Sequence, residues 1–316
     1  MSKSGNVIDR ECILTMRFLA IAGRKLLALT LGVVLLAVVL ADPLRAEEKV
    51  MYEGDSIYNH IQIKRDGQEM CMLFGRYSDA RETCMNMAKP DQSLFEYTAM
   101  MFVGFLFHPE TRDVALIGLG GGYLPTVFKM HLPAVRLDTI EIDPLVYKLA
   151  QQYFSFQPTP MQTITVVDGR QYLKKTGRRY DQIWLDAFNT DYIPVHMTTR
   201  EFLKLAKSRL NKNGIIVQNV HNTNNLFDAQ VATFRAVFAR VFVFNGKQSG
   251  NSIIVGSDNP LFVPPKFSQQ AKTRTKIGTI DLIDEAGKYA ADPDIKPAKV
   301  LTDDFNPANF LVHQER

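Results

Sequence analysis

From Val114 onward the chain repeats one pattern, a short uninterrupted apolar run followed by a stretch with helical spacing. VALIGLG runs into glycines and precedes TVFKMHL, RLDTIEID precedes LVYKLAQQYF, and ITVVDG and DQIWLDAF are further runs of the same kind. Strands buried on both faces read as continuous apolar runs, and parallel strands need a crossover helix between them. The pattern predicts an α/β fold, a mainly parallel sheet covered by helices on both faces. Beyond it, TREFLKLAKSRL has amphipathic helical spacing, and Asn211-Lys212-Asn213-Gly214 reads as its C-terminal stop. IIVQNV predicts a strand, residues 226–239 a helix, and RVFVFN with SIIVGS a closing pair of strands.

The segment before this repeat is of another kind. Residues 56–75 alternate apolar and polar around Arg65-Asp66-Gly67, a hairpin signal, and residues 93–106 show helical spacing of Leu94, Tyr97, Met101 and Phe105. The Met-rich run 98–107 reads as a buried helix rather than a cofactor site. Cys71 and Cys84, in what read as neighbouring strands, are either a disulfide or two buried thiols. These features divide the chain into a leader (1–41), an N-terminal β unit (42–90), an α/β domain (91–257) and a Pro-rich extension (258–316).

Residues 26–41 are apolar and uncharged, with Arg24-Lys25 before them and Asp42-Pro43 after. That is the order of a secretory signal, cut before Asp42 or after Ala46. The rival reading is an uncleaved membrane anchor, although 16 residues are short for a bilayer span. Both place the body beyond the membrane, periplasmic or membrane-anchored; a misassigned start on a cytoplasmic protein is the remaining reading. The leader also carries most of the net charge. Without residues 1–41 the chain has 32 basic against 31 acidic residues. So neutral a body asks for no nucleic-acid partner. No Cys or His spacing suggests a metal site.

The chemistry gathers at strand ends. Gly118, Gly120 and Gly122 separate the first strand of the repeat from its helix, where a tight turn lets a ligand approach the backbone. Glu141 ends the next strand, placed to accept from ribose hydroxyls; Asp168-Gly169 ends the third, with Asp168 a candidate acceptor for an adenine amino group; Asp186 ends the fourth. In open α/β sheets such ends line one crevice. His196 is either a proton relay or a backbone cap, Trp184 reads as sheet core, and Asp303-Asp304 either reach the site or cap a turn.

GLGGG, EIDP, VVDGRQYL and YDQIWLDAF together resemble the class I S-adenosylmethionine fold, and within it the spermidine synthase family of polyamine aminopropyltransferases, over roughly residues 55–256. LDAFNTDYIPVHMTTREF and LTDDFNP are most similar to a bacterial spermidine-synthase-like branch. The resemblance implies a Rossmann-like, methyltransferase-type sheet and a homodimer. SIYNHI resembles the family's Ser-x-Tyr-Gln-x-Ile strand, with Asn59 in place of glutamine, and implies a cofactor-binding position there. GIIVQNV resembles the segment that offers a glutamine to the amine, here Gln218. Two motifs depart from the family. Its gate loop carries Asp-x-x-Asp-Pro; here Asp186 is followed by Asn189 and no proline, and Asp191 is the nearby substitute. Its Tyr-x-Glu appears only as Glu96-Tyr97.

The function these residues imply is transfer of an aminopropyl group from decarboxylated S-adenosylmethionine to a diamine, without a metal. Asp186 positions the amine and takes its proton, with Tyr97, Asp191 and Gln218 as substrate-binding candidates. Two other readings stand beside it: a methyltransferase using S-adenosylmethionine, and an exported, non-catalytic binding protein on a nucleoside scaffold. The leader motivates the last, because these sulfonium nucleosides are made in the cytosol.

Overall fold

The computed structural model describes residues 48–76, 81–187, 194–263 and 265–316. The segment 26–41 lies outside the described residues. Among those described, no helix is long and apolar enough to cross a membrane. Strands β1 (Lys49–Asp55), β2 (His60–Asp66), β3 (Glu69–Phe74) and β4 (Arg81–Asn86) form an antiparallel sheet in sequence order. The hairpin expected around Arg65-Asp66-Gly67 is β2–β3, with Gly67 at φ +56° in its turn. Cys71 and Cys84 face each other in register across β3 and β4 and are joined as a disulfide.

The SIYN stretch is a turn between β1 and β2 rather than the start of a strand. The Ser56 hydroxyl accepts from the Tyr58 and Asn59 N–H groups at 3.0 and 2.9 Å, which closes a local serine turn at the expense of ladder pairing. The same hydroxyl reaches Asp143 Oδ2 at 2.5 Å, so the turn is tied to the α/β domain.

Residues 96–107 form consecutive short helical segments, α1 (Glu96–Met100), a 3₁₀ turn (Met101–Val103) and α2 (Gly104–Phe107). Met100 to Phe107 are all buried, as the Met-rich run predicts. The repeat then runs β5 (Asp113–Ile117), α3 (Tyr123–His131), β6 (Arg136–Glu141), α4 (Pro144–Tyr153), β7 (Gln162–Val166), α5 (Gly169–Lys175), β8 (Tyr180–Leu185), α6 (Arg200–Ser208), β9 (Leu210–His221), α7 (Leu226–Arg235), β10 (Arg240–Asn245) and β11 (Asn251–Ser257). Side chains cap several of these helices: Asp143 accepts from Leu145 N at 2.9 Å, with Pro144 opening the helix, and Thr199 accepts from Phe202 N at 3.2 Å.

The large sheet has the order β10–β11–β9–β8–β5–β6–β7, with β9 to β7 parallel and β10 and β11 antiparallel. Alternation along each strand feeds two cores. Val114 and Leu116 face one that continues through residues 100–107 into the N-terminal sheet, while Ala115 and Ile117 face the other. The chain leaves β5 toward β6 and later returns to β8 on its other side. That reversal opens a crevice between β5 and β8 at their carboxyl ends.

Asn211–Gly214 does not stop a helix. The helix ends at Ser208, and these residues bulge from the start of β9, where the register with β8 shifts. Asn213 takes φ +63°, and Asn211 Nδ2 donates to Asp181 Oδ1 at 2.8 Å.

Candidate active site

A cavity of about 400 Å³ opens at the β5–β8 crevice. Its floor begins at Gly118, whose φ is +107° and where a Cβ would sit 2.1 Å from the Asp186 carbonyl oxygen. Only glycine allows the loops after β5 and β8 to approach this closely. Gly120 also lines the cavity; Gly122 does not. Gly122 instead caps α3 at φ +82°, and a Cβ there would press on the Phe156 ring, so it serves packing rather than ligand approach.

Glu141 lies at the end of β6, buried, with Oε2 accepting from Leu119 N at 2.9 Å and Oε1 from Asp143 N at 3.0 Å. Burial raises its carboxyl above the ordinary range, and the backbone donors oppose that. Those donors fix the carboxylate between the glycine loop and α4. The acceptor capacity left on this carboxylate suits a hydroxyl donor such as one of a diol. Asn59 and Gly169 line the same end. Asp168 lies there too, its Oδ1 accepting from Gln171 N at 2.8 Å and its Oδ2 lying 2.7 Å from His196 Nε2. His196 thus meets a side chain of the site, not a backbone group. Its 3₁₀ turn (Val195–Met197) is braced from outside: Arg170 donates to the His196 carbonyl, and Asn306 to that of Val195. Asp303 grips Arg170 and accepts from Thr199, so it holds the wall without lining the cavity. The Arg170 guanidinium is the main reason its carboxyl falls to about 2.

The other end is acidic. Asp186 follows β8; its N–H donates to the Ile117 carbonyl and its Oδ1 accepts from Asn219 Nδ2 at 3.1 Å. Asn251 Nδ2 donates to Asn219 Oδ1 at 3.0 Å, which sets the direction of the Asn219 amide. Burial pushes the Asp186 carboxyl up to about 6; the Asn219 bond opposes this and the charge of Glu82 adds to it. Tyr97 lines this end, its hydroxyl donating to the Glu82 carbonyl at 3.4 Å. Burial, then the charges of Asp186 and Glu82, raise its phenol, so it stays a neutral donor. Glu96 beside it faces away. It accepts three backbone N–H groups of residues 247–249 at 2.8–2.9 Å and pins the β10–β11 loop.

Gln218 is a correction. It is fully buried and absent from the cavity wall, whereas Asn219 lines it. The two-residue period of β9 sends Gln218 to the core face with Ile216 and Val220 and turns Asn219 and His221 to the site. Asp191 lies outside the described residues. Glu82, Asn219, Asn251 and Ser249, whose Oγ is buried without a hydrogen-bond partner among the described residues, were not expected from the sequence. The step of one from Gln218 to Asn219 is the one signal that pointed near them. Trp184 is core, donating to Gln182 Oε1 at 2.8 Å. Among the described residues no cluster of His, Cys, Asp or Glu is placed to hold a metal ion.

One end of this cavity thus holds Glu141 and Asp168 beside the glycine loop, and the other holds Asp186 and Glu82. Known proteins are similar to this chain in sequence and in fold. The Spermine/spermidine synthase domain family matches residues 94–244. A polyamine aminopropyltransferase of Vibrio vulnificus is 34% identical over 275 residues, spanning 84% of this chain and 92% of the relative. An eEF1A lysine and N-terminal methyltransferase of Homo sapiens is 29% identical over 152 residues, 44% of this chain and 22% of that protein. In structure, a probable spermidine synthase from Corynebacterium glutamicum superposes with a TM-score of 0.61 at 20% identity, covering 80% of this chain and 99% of the other, which shows the shared fold. The chain belongs to the spermine/spermidine synthase family of polyamine aminopropyltransferases.

Proposed function

We propose that this chain transfers an aminopropyl group from decarboxylated S-adenosylmethionine to a diamine. The observation that carries this reading is the division of the cavity's carboxylates, with Glu141 and Asp168 held by backbone donors beside the glycine loop and Asp186 and Glu82 close enough to act on each other at the other end. Cationic alkyl groups suit that end, and the amino-acid carboxylate of S-adenosylmethionine is repelled there.

The attacking nitrogen must be unprotonated, although free alkylamines have a pKa near 10. Its lone pair forms the new C–N bond at the carbon beside the sulfonium. The C–S bond pair leaves with sulfur, giving neutral methylthioadenosine, and one proton leaves the nitrogen. Asp186 is positioned to accept that proton, and Tyr97 and Asn219 to orient the groups around it. Holding both reactants in line contributes on the order of several kcal/mol. Glu141 and Asp168 orient the nucleoside.

A body beyond the cytosol is a separate proposal, supported by the basic and apolar leader and the Cys71–Cys84 bond, and it requires the sulfonium nucleoside, made in the cytosol, to reach that body. Fractionation of cells expressing the full chain tests it, and a wholly cytosolic chain with an intact N-terminus rejects it.

Calorimetric titration of the full chain with decarboxylated S-adenosylmethionine, against S-adenosylmethionine, tests the activity. Preference for the decarboxylated form, with methylthioadenosine released on adding diamines, is expected. Preference for the carboxylated form favours methyl transfer, a reading supported by the likeness to the human methyltransferase and by Asn189 in the gate loop. Binding of neither leaves the non-catalytic reading.

A further inference from the structure

Strand β4 does not pair evenly with β3. Leu73 pairs with Arg81 and Met72 with Thr83, so Glu82 is an extra residue inserted into the register of the ladder. A bulge of this kind bends the strand and re-aims the inserted side chain. Arg81, Glu82 and Thr83 all line the cavity, whereas strict alternation would turn every second residue away. Two ties hold the bulge in place. Cys84 is bonded to Cys71 just beyond it, and Thr83 Oγ1 accepts from Gly121 N at 3.3 Å, linking β4 to the glycine loop.

We propose that Glu82 supplies the second carboxylate of the site and, opposite Asp186, holds an alkylammonium group of one of the co-substrates. This rests on the aminopropyl-transfer reading. The gate loop has Asn189 where the family resemblance implies a carboxylate, and the N-terminal sheet delivers one to the same cavity from another element. Glu82 acts on Asp186 and Tyr97 as a like charge sharing their space. An ammonium between the two carboxylates converts that repulsion into attraction on both sides. Among the described residues, the other titratable groups along this part of the wall are Arg81, Tyr97 and His221.

The test is steady-state kinetics of the full chain with decarboxylated S-adenosylmethionine and 1,4-diaminobutane, comparing Glu82→Gln with wild type. A charge-assisted contact of this kind is worth about tenfold or more, so the KM for one co-substrate rises by at least that factor. A rise for the donor assigns the contact to its aminopropyl ammonium, and a rise for the amine assigns it to the distal ammonium of the acceptor. The acid limb of kcat/KM also moves to lower pH in Glu82→Gln, because Asp186 loses a like-charged neighbour; a merely structural role leaves that limb in place. Both KM values within twofold of wild type and an unmoved limb overturn the proposal. Should Glu82→Gln lack a cooperative thermal transition, Glu82→Asp is read instead. Withdrawing the carboxylate by one methylene then raises the same KM about threefold or more, and an unchanged KM overturns the proposal. A wild-type chain that releases no methylthioadenosine rejects the aminopropyl reading and this proposal together, while an active wild type with an indistinguishable Glu82→Gln rejects this proposal alone.

Discussion

Asp186 carries opposed demands. Its carboxyl is pushed up to about 6 by burial, so at neutral pH the protein holds a charge the fold disfavours. A carboxyl whose folded pKa exceeds its unfolded value of 3.8 favours folding at low pH, and that advantage is lost as pH rises through about 6. Asp186→Asn removes the charge. The variant is expected to lose roughly 10²–10⁴-fold in turnover while keeping nucleoside binding, and to gain roughly 1–3 kcal/mol of stability at pH 7. Turnover and urea denaturation on the same sample check both halves, and equal loss of turnover and nucleoside affinity contradicts the assigned role. Asn219 has the reverse influence, since its bond favours the ionised carboxylate. Asn219→Ala should move the acid limb of kcat/KM to higher pH, which a pH–rate profile reads directly. At this scale Glu141, Asp168 and Asp186 were legible, because each ends an apolar run at a place where an open α/β sheet presents its ligand groups. Asn219 was not. IIVQNV is apolar on both sides of the strand, and a strand buried on both faces shows no alternation from which to tell 218 from 219.

Among elements, the β10–β11 loop owes its position to Glu96. Burial opposes ionisation of this carboxyl, yet the N–H groups of residues 247–249 and the Lys288 charge bring it down to about 2. A depressed carboxyl contributes stability that is present above its unfolded value of 4.5 and is lost as pH falls through about 2. Glu96→Gln should cost roughly 2–3 kcal/mol at pH 7, with the gap to wild type closing toward pH 2, as chemical denaturation across that window would show. The disulfide joins residues 13 apart in sequence, and its removal in a Cys71→Ala, Cys84→Ala variant is expected to cost about 3 kcal/mol, read as a lowered Tm. The elements of the repeat matched their sequence signals because burial and period agree there. Those that differed did so where the backbone departs locally from its regular period. Ser56 closes a turn inside an alternating stretch, Asn213 takes a left-handed conformation inside a strand, and the bulge at Glu82 interrupts the period that would have located it.

Across the molecule, the C-terminal extension is read best through what it holds. Asp303 and Asn306 brace the turn that carries His196 against Asp168, by way of Arg170 and Val195. Asp303→Ala should therefore raise the KM for the nucleoside donor severalfold with little change for the amine, because the brace touches only that end of the cavity. Equal change for both substrates would show a general loosening instead. None of this was legible in LTDDFNP alone, since a carboxylate's partner across the fold leaves no periodic mark in the sequence.

The wall of the cavity is drawn from Asn59, from β4, from the carboxyl ends of the parallel strands of the large sheet and from Asn251, and is braced from Asp303. Such distant contacts close late in folding, after the helices and adjacent strands have formed. A refolding chain should thus show its helical signal first and acquire affinity for the nucleoside last. The ligand acts as a witness to completed folding, and only the fully assembled chain has a place for it.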